Sequence, residues 1–274
     1  MDPALPPLQK IALDNWRADV LDKVKEQDLP DYMQNRVRMR RAGVWASIAY
    51  QRSRKGEGYQ QAGQRAIEEL AGVDKNQLPD DDVALYNEAA IHTASVRWAA
   101  ELVPSLQLPP TAKTAALQLQ TSVGAPGETC VSLLDLKAKD KPELLKRCSY
   151  GVVWAASASF NASNTAVALA VQPLDGWREL WLMHQTSNGW VVDVLPPAAS
   201  EPDVGYAEFA GWVPATNKLL VAREARVEGR FKRSFEVLNM DSLAVEVWAD
   251  RPGAVNLFAK WQTPQWKRST LSLR

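Results

Sequence analysis

Few residues in this chain have the type and spacing to do chemistry. There are two histidines and two cysteines. His92 falls on an apolar helical stripe, where a packing role is expected. His184 follows Trp181-Leu182-Met183 in an expected strand, where cross-strand structural use is expected. Zinc proteases place two histidines four apart around a glutamate, and structural zinc needs four clustered Cys or His; the sequence has neither pattern. A Gly-x-Ser-x-Gly elbow, which exposes a serine nucleophile on a tight strand-to-helix turn, is missing as well. Gly56-Glu57-Gly58 is not continued into a dinucleotide or phosphate loop. The sequence therefore nominates no catalytic residue, no metal and no cofactor.

Cys130 and Cys148 carry the most definite chemistry. Cys130 lies in Thr129-Cys130-Val131-Ser132-Leu133, which reads as a strand. Cys148 lies in the next expected strand, after a polar link centred on Asp140, Lys141 and Pro142. Facing residues of adjacent antiparallel strands lie about 4.5–5.5 Å apart, a span a disulfide can bridge. A Cys130–Cys148 disulfide is expected, with two buried thiols as the alternative. An oxidised pair points to a periplasmic or secreted protein, because cytosolic thiols stay reduced. The opening Met1-Asp2-Pro3-Ala4-Leu5 has no basic region leading into an apolar core, so no signal peptide is expected within the given chain.

Two surface features are candidates for recognition. Trp177, Arg178 and Trp181 follow the turn Leu174-Asp175-Gly176, and exposed Trp and Arg are favoured anchors of protein interfaces. They are taken as a binding patch, core packing being the other reading. Arg36 to Lys55 carries seven basic residues with no acid between Asp31 and Glu57. That run is read as a solvated helix face paired with Glu68, Glu69 and Asp80–Asp82, rather than as a docking patch for an acidic partner.

The elements that must position these residues fall into two textures. Helices are expected from Leu8 to about Gln27, from near Asp31 as a cap through Ile48, from Tyr59 to Leu70, and from Val83 to about Val103. In the first, Ile11, Leu13, Trp16, Val20, Leu21 and Val24 form the expected apolar stripe. Stacked helix pairs or a small bundle would accommodate four such helices, and no helical repeat is read. After Pro109-Pro110 the pattern becomes β, with about thirteen short strands, the last two at 254–261 and 267–273. Asn188-Gly189 supplies two residues that tolerate the positive φ of a hairpin turn. The expectation is an α+β chain: a helical domain over 1–110, then an all-β antiparallel domain over 111–274.

Within that second part, Trp154, Trp212 and Trp261 each end an apolar strand, followed by a polar turn and another strand, at intervals of about 50 residues. The pattern resembles TolB-type and WD-type β-propeller blades, most closely at Trp212-Val213-Pro214 before Lys218–Val221. No Asp-Gly follows these tryptophans and no Trp-Asp pair closes a blade. The resemblance implies propeller-like blades; a β-sandwich is the alternative.

Charge is balanced at 32 Lys+Arg against 32 Asp+Glu. Neither half has the basic excess that phosphate backbones demand, so nucleic acid is not an expected partner. No window approaches the roughly 18 apolar residues of a membrane span, so a soluble chain is expected. The functional expectation is a non-catalytic protein-binding or scaffold protein of the bacterial envelope. The alternatives are a hydrolase whose site is scattered in sequence and an oligomeric structural component.

Overall fold

A computed structural model describes residues 6–101, 116–140 and 143–271. The expected boundary at 110, the first residues of the strand expected at 113–123 and the end of that expected at 267–273 lie outside those residues; the fourth helix, expected to run to about Val103, ends at Ser95 and gives way to a 3-10 turn. The chain divides into two compact units, the first ending at Glu101 and the second running to Thr270. No helix among the described residues is long and apolar enough to cross a membrane.

Among the described residues the first unit has four α-helices: α1 (Pro7–Asp22), α2 (Asp31–Ser53), α3 (Tyr59–Ala71) and α4 (Asp80–Ser95). They form two helix pairs built on one plan. Val24 to Asp31 and Val73 to Asp80 match position for position, each running through a short 3-10 turn into Leu-Pro-Asp. Proline forces the preceding Leu29 and Leu78 into extended backbone and supplies the fixed φ of the residue before each helix. Pro30 and Pro79 adopt the same angles to within a degree, φ −59 with ψ 150 and 151. The expected caps thus move by one position: Asp31 is the first helical residue rather than the cap. Asp80, Asp81 and Asp82 form the first turn of α4, where their charge complements the helix dipole.

α2 is the spine of this unit. Its Asn35 side chain accepts from the Asp74 N–H at 3.1 Å, holding the second connector. Its Arg41 donates to the Leu21 and Val24 carbonyls at 2.8 and 3.0 Å, holding the first. Met39, Ala42, Leu70, Val73, Tyr86, Ala89 and Ala90 form the core between α2, α3 and α4. Three of the seven basic residues form ion pairs here: Arg36 with Asp82 at 2.8 Å, as expected, and Arg38 and Arg41 with Glu26, which was not an expected partner; Arg41, also 3.8 Å from Glu69, is buried rather than on a solvated face.

The second unit contains eleven strands among the described residues. β1 (Leu117–Val123), β2 (Thr129–Asp135) and β3 (Glu143–Ser149) form an antiparallel sheet of their own. β4 (Val152–Phe160), β5 (Ala166–Leu174), β6 (Trp177–Thr186) and β7 (Gly189–Leu195) form a four-stranded meander. β8 (Gly205–Val213), β9 (Lys218–Val227), β10 (Arg230–Asn239) and β11 (Val245–Ala249) form a second. A short parallel pairing of Trp177-Arg178 with Gly205-Tyr206 joins the meanders into one eight-stranded sheet ending at β4 and β11. Of Asn188 and Gly189, Gly189 alone takes a positive φ, and the β6–β7 loop is Ser187-Asn188, one residue earlier than the motif suggested.

The sheets are layered. Alternate residues of β5 belong to different cores, so the strand is buried from Ala166 to Gln172 without interruption. Ala166 and Ala168 meet Ala207, Leu219, Val221 and Leu238 of the second meander. Val167, Leu169 and Val171 meet Leu117, Leu119, Val131 and Leu133 of the three-stranded sheet. A strand covered on both faces loses polar alternation, which explains why Val167–Val171 alternates only loosely.

The last two expected strands are instead helical: α5 (Asn256–Trp261) and α6 (Pro264–Ser269). Short apolar runs do not distinguish strand from helix by period alone. Thr263 accepts from the Trp266 N–H at 3.0 Å, and Pro264 opens the helix. Phe258 and Trp266 pack edge-on against Phe235 of β10, with ring centroids 5.2 and 6.3 Å away, and cover the second meander. Gly211 permits this approach, because a Cβ there would collide with the Trp261 carbonyl. Trp261 therefore belongs to a helix, and not to a third strand equivalent to those of Trp154 and Trp212.

Candidate functional site

A groove of about 470 Å³ lies between α1, α2 and α4. It exists because α1 turns a different face to α2 than its apolar residues suggest. The inward positions are Ile11, Asp14, Ala18 and Leu21, at helical spacing, while Trp16 and Val20 are left outside. Trp16, expected in the core, is 61% exposed. Asp14 takes the inward place because α2 offers it donors: Ser47 Oγ at 2.8 Å and Gln51 Nε2 at 2.7 Å, with Arg17 at 3.2 Å. A buried carboxylate with three donors is satisfied, and it fixes the rotation of α1 on α2.

The groove walls are then Trp16 and Val20 of α1, Val44 of α2 and Leu85 of α4, with Met39 and His92 deeper. Asp14, Arg17, Arg40 and Glu88 are its charged members. Gly43 also lines it. This arrangement can receive an apolar side chain beside a polar or acidic group. His92 is buried in α4, as its stripe suggested. Trp16 was the missed residue; its signal was the acidic Asp14, out of place on an apolar stripe.

The patch proposed at Trp177, Arg178 and Trp181 is not at the surface. These residues are 2%, 0% and 3% exposed, which corrects the expectation that they are accessible. The turn at Leu174–Gly176 returns the chain directly into a layer covered on both faces, so the start of β6 is already interior. Trp181 joins the core against the three-stranded sheet and donates to Glu179 at 3.4 Å, with the Arg147 guanidinium 4.8 Å from its ring centre. Arg178 pairs with Glu208 and lies 5.2 Å from the Tyr206 ring. Tyr206 in turn donates to Glu224 at 3.2 Å; its burial, with Glu224 and Glu208 close by, pushes the phenol well above its ordinary pKa. This is a buried polar cluster where β6, β8 and β9 meet.

His184 sits 2.7 Å from Asp193 across the β6–β7 pair, and its Nδ1 is buried with no hydrogen-bond partner among the described residues. Cys130 and Cys148 form the expected disulfide, in direct register across β2 and β3. No family model matches the chain, and no curated protein or solved structure matches it.

Proposed function

We propose that this chain is a non-catalytic protein-binding component of an oxidising compartment, the bacterial periplasm or the exterior. The groove between α1, α2 and α4 would receive a partner segment, an apolar anchor against Trp16 and Val20 with an acidic neighbour beside Arg40. The observation that carries the reading is an exposed tryptophan on the wall of a groove whose backbone is fixed by buried polar side chains. Stacked helix pairs commonly present such surfaces to partners, and tryptophan is the strongest single anchor of interfaces. The disulfide supports the compartment. The two four-stranded meanders, with apolar side chains of β5 and β6 against those of β8 and β9, support reading the second unit as an open array of propeller-like blades.

The test is photo-crosslinking in cells from position Val20, with Tyr150 as a surface control. A discrete adduct from Val20 that disappears with Trp16→Ala supports the reading, and Trp16→Ala should change stability by less than about 0.5 kcal/mol. Equal labelling from both positions refutes the groove. Turnover of generic ester, glycoside or phosphate substrates, abolished by Asp14→Asn or His92→Gln, would establish the hydrolase alternative instead.

A further inference from the structure

Glu128, Cys130 and Cys148 meet at the turn end of the three-stranded sheet. Glu128 closes the turn that begins at Gly124, and its Oε2 accepts from the Ala125 N–H at 3.0 Å. The carboxylate occupies room that only a glycine leaves, since a Cβ on Gly124 would collide with both Glu128 Oε2 and Cys130 Sγ. One carboxylate oxygen and the two sulfurs thereby lie within 4.8 Å of one another. Cys130 is buried, while Glu128 and Cys148 are half-buried, so the corner can be reached from solvent. The β2–β3 register places Cys130 and Cys148 directly opposite each other.

Tetrahedral zinc binds thiolates at about 2.3 Å and carboxylate oxygens at about 2.0–2.2 Å, which sets two bound sulfurs about 3.8 Å apart. The spacing at this corner accommodates that set once the S–S bond is open. We propose that reduction of Cys130–Cys148 by a dithiol converts this corner into a binding site for a thiophilic divalent cation of the zinc class. Two thiolates and Glu128 hold the ion, with a fourth position for water. The dithiol gives two electrons and two protons to the S–S bond and leaves as its own cyclic disulfide. The cation then displaces the two thiol protons to solvent. Disulfide and metal exclude each other, so the site takes up metal only in the reduced chain. This inference is independent of the groove.

The test uses the full chain, reduced with a phosphine, desalted without oxygen and titrated with Co²⁺. One equivalent should produce a thiolate-to-cobalt charge-transfer band and tetrahedral visible bands, both erased by Zn²⁺, and the oxidised chain should produce neither. Glu128→Gln should weaken binding at least about tenfold, the scale on which even outer-shell partners matter. Gly124→Ala should do the same by displacing the carboxylate, with both thiols still free to alkylate. Far-UV circular dichroism, unchanged on reduction, shows that the sheet persists. Three results would each overturn the proposal: no charge-transfer band in the reduced chain, loss of β structure on reduction before metal is added, or unchanged affinity in Glu128→Gln.

Discussion

Arg178 has no exposed surface and is held by Glu208, in a cluster with Tyr206 and Glu224. Breaking a buried pair strands the other charge, whereas removing both charges does not. Arg178→Met should therefore cost about 3–5 kcal/mol in urea denaturation, and Arg178→Met with Glu208→Leu much less. Equal losses would mean that the pair is not what the site requires. Glu179, next in sequence, is half-buried, and burial raises its pKa against the opposing pull of the Trp181 N–H and the Arg147 charge. A raised folded value means that the ionised form is disfavoured in the fold. Glu179 then costs stability at neutral pH, and the cost disappears as pH falls through the raised value toward the ordinary one of about 4.3. Glu179→Gln should raise the melting temperature at pH 7 and leave it unchanged near pH 4; the same gain at both would rule out ionisation as the cause. At this scale the sequence disclosed the cysteine pairing, because partners on adjacent strands follow from the pattern alone. It did not disclose the burial of Trp177, Arg178 and Trp181, because a turn does not announce whether the strand after it is an inner or an outer one.

Most strands were legible from alternation and turn residues, and their bounds match to within a few positions. The C-terminal helices were not legible: Val255–Trp261 is too short to show a period, and its partner Phe235 is remote in sequence. Phe258→Ala should cost about 3–5 kcal/mol, the usual range for emptying a buried phenylalanine site. A loss under about 1 kcal/mol in urea would show that these helices do not stabilise the second meander. The likeness of the two interhelix connectors also escaped reading, because it is confined to one Val-to-Leu-Pro-Asp stretch. The groove depends on this element scale too. Asp14 rather than an apolar residue decides which side of α1 faces inward, so hydrophobic periodicity misplaced Trp16.

For the whole molecule, the disulfide spans 18 residues and closes the loop between β2 and β3. In the chain-entropy model such a loop contributes about 3 kcal/mol. Cys130→Ser with Cys148→Ser should lower urea stability by about 2–4 kcal/mol, and an unchanged midpoint would remove the disulfide from the account of stability. The order of helices before strands was plain in the sequence, since the change of period near Pro109-Pro110 is abrupt. The layering was not, because face-to-face contact between sheets leaves no trace in spacing beyond an unusually apolar strand such as β5. The position of α5 and α6 also bears on self-association. Phe258 and Trp266 cover the face of the second meander that carries Phe235, and without them that face would be an exposed apolar patch of the kind that draws chains together.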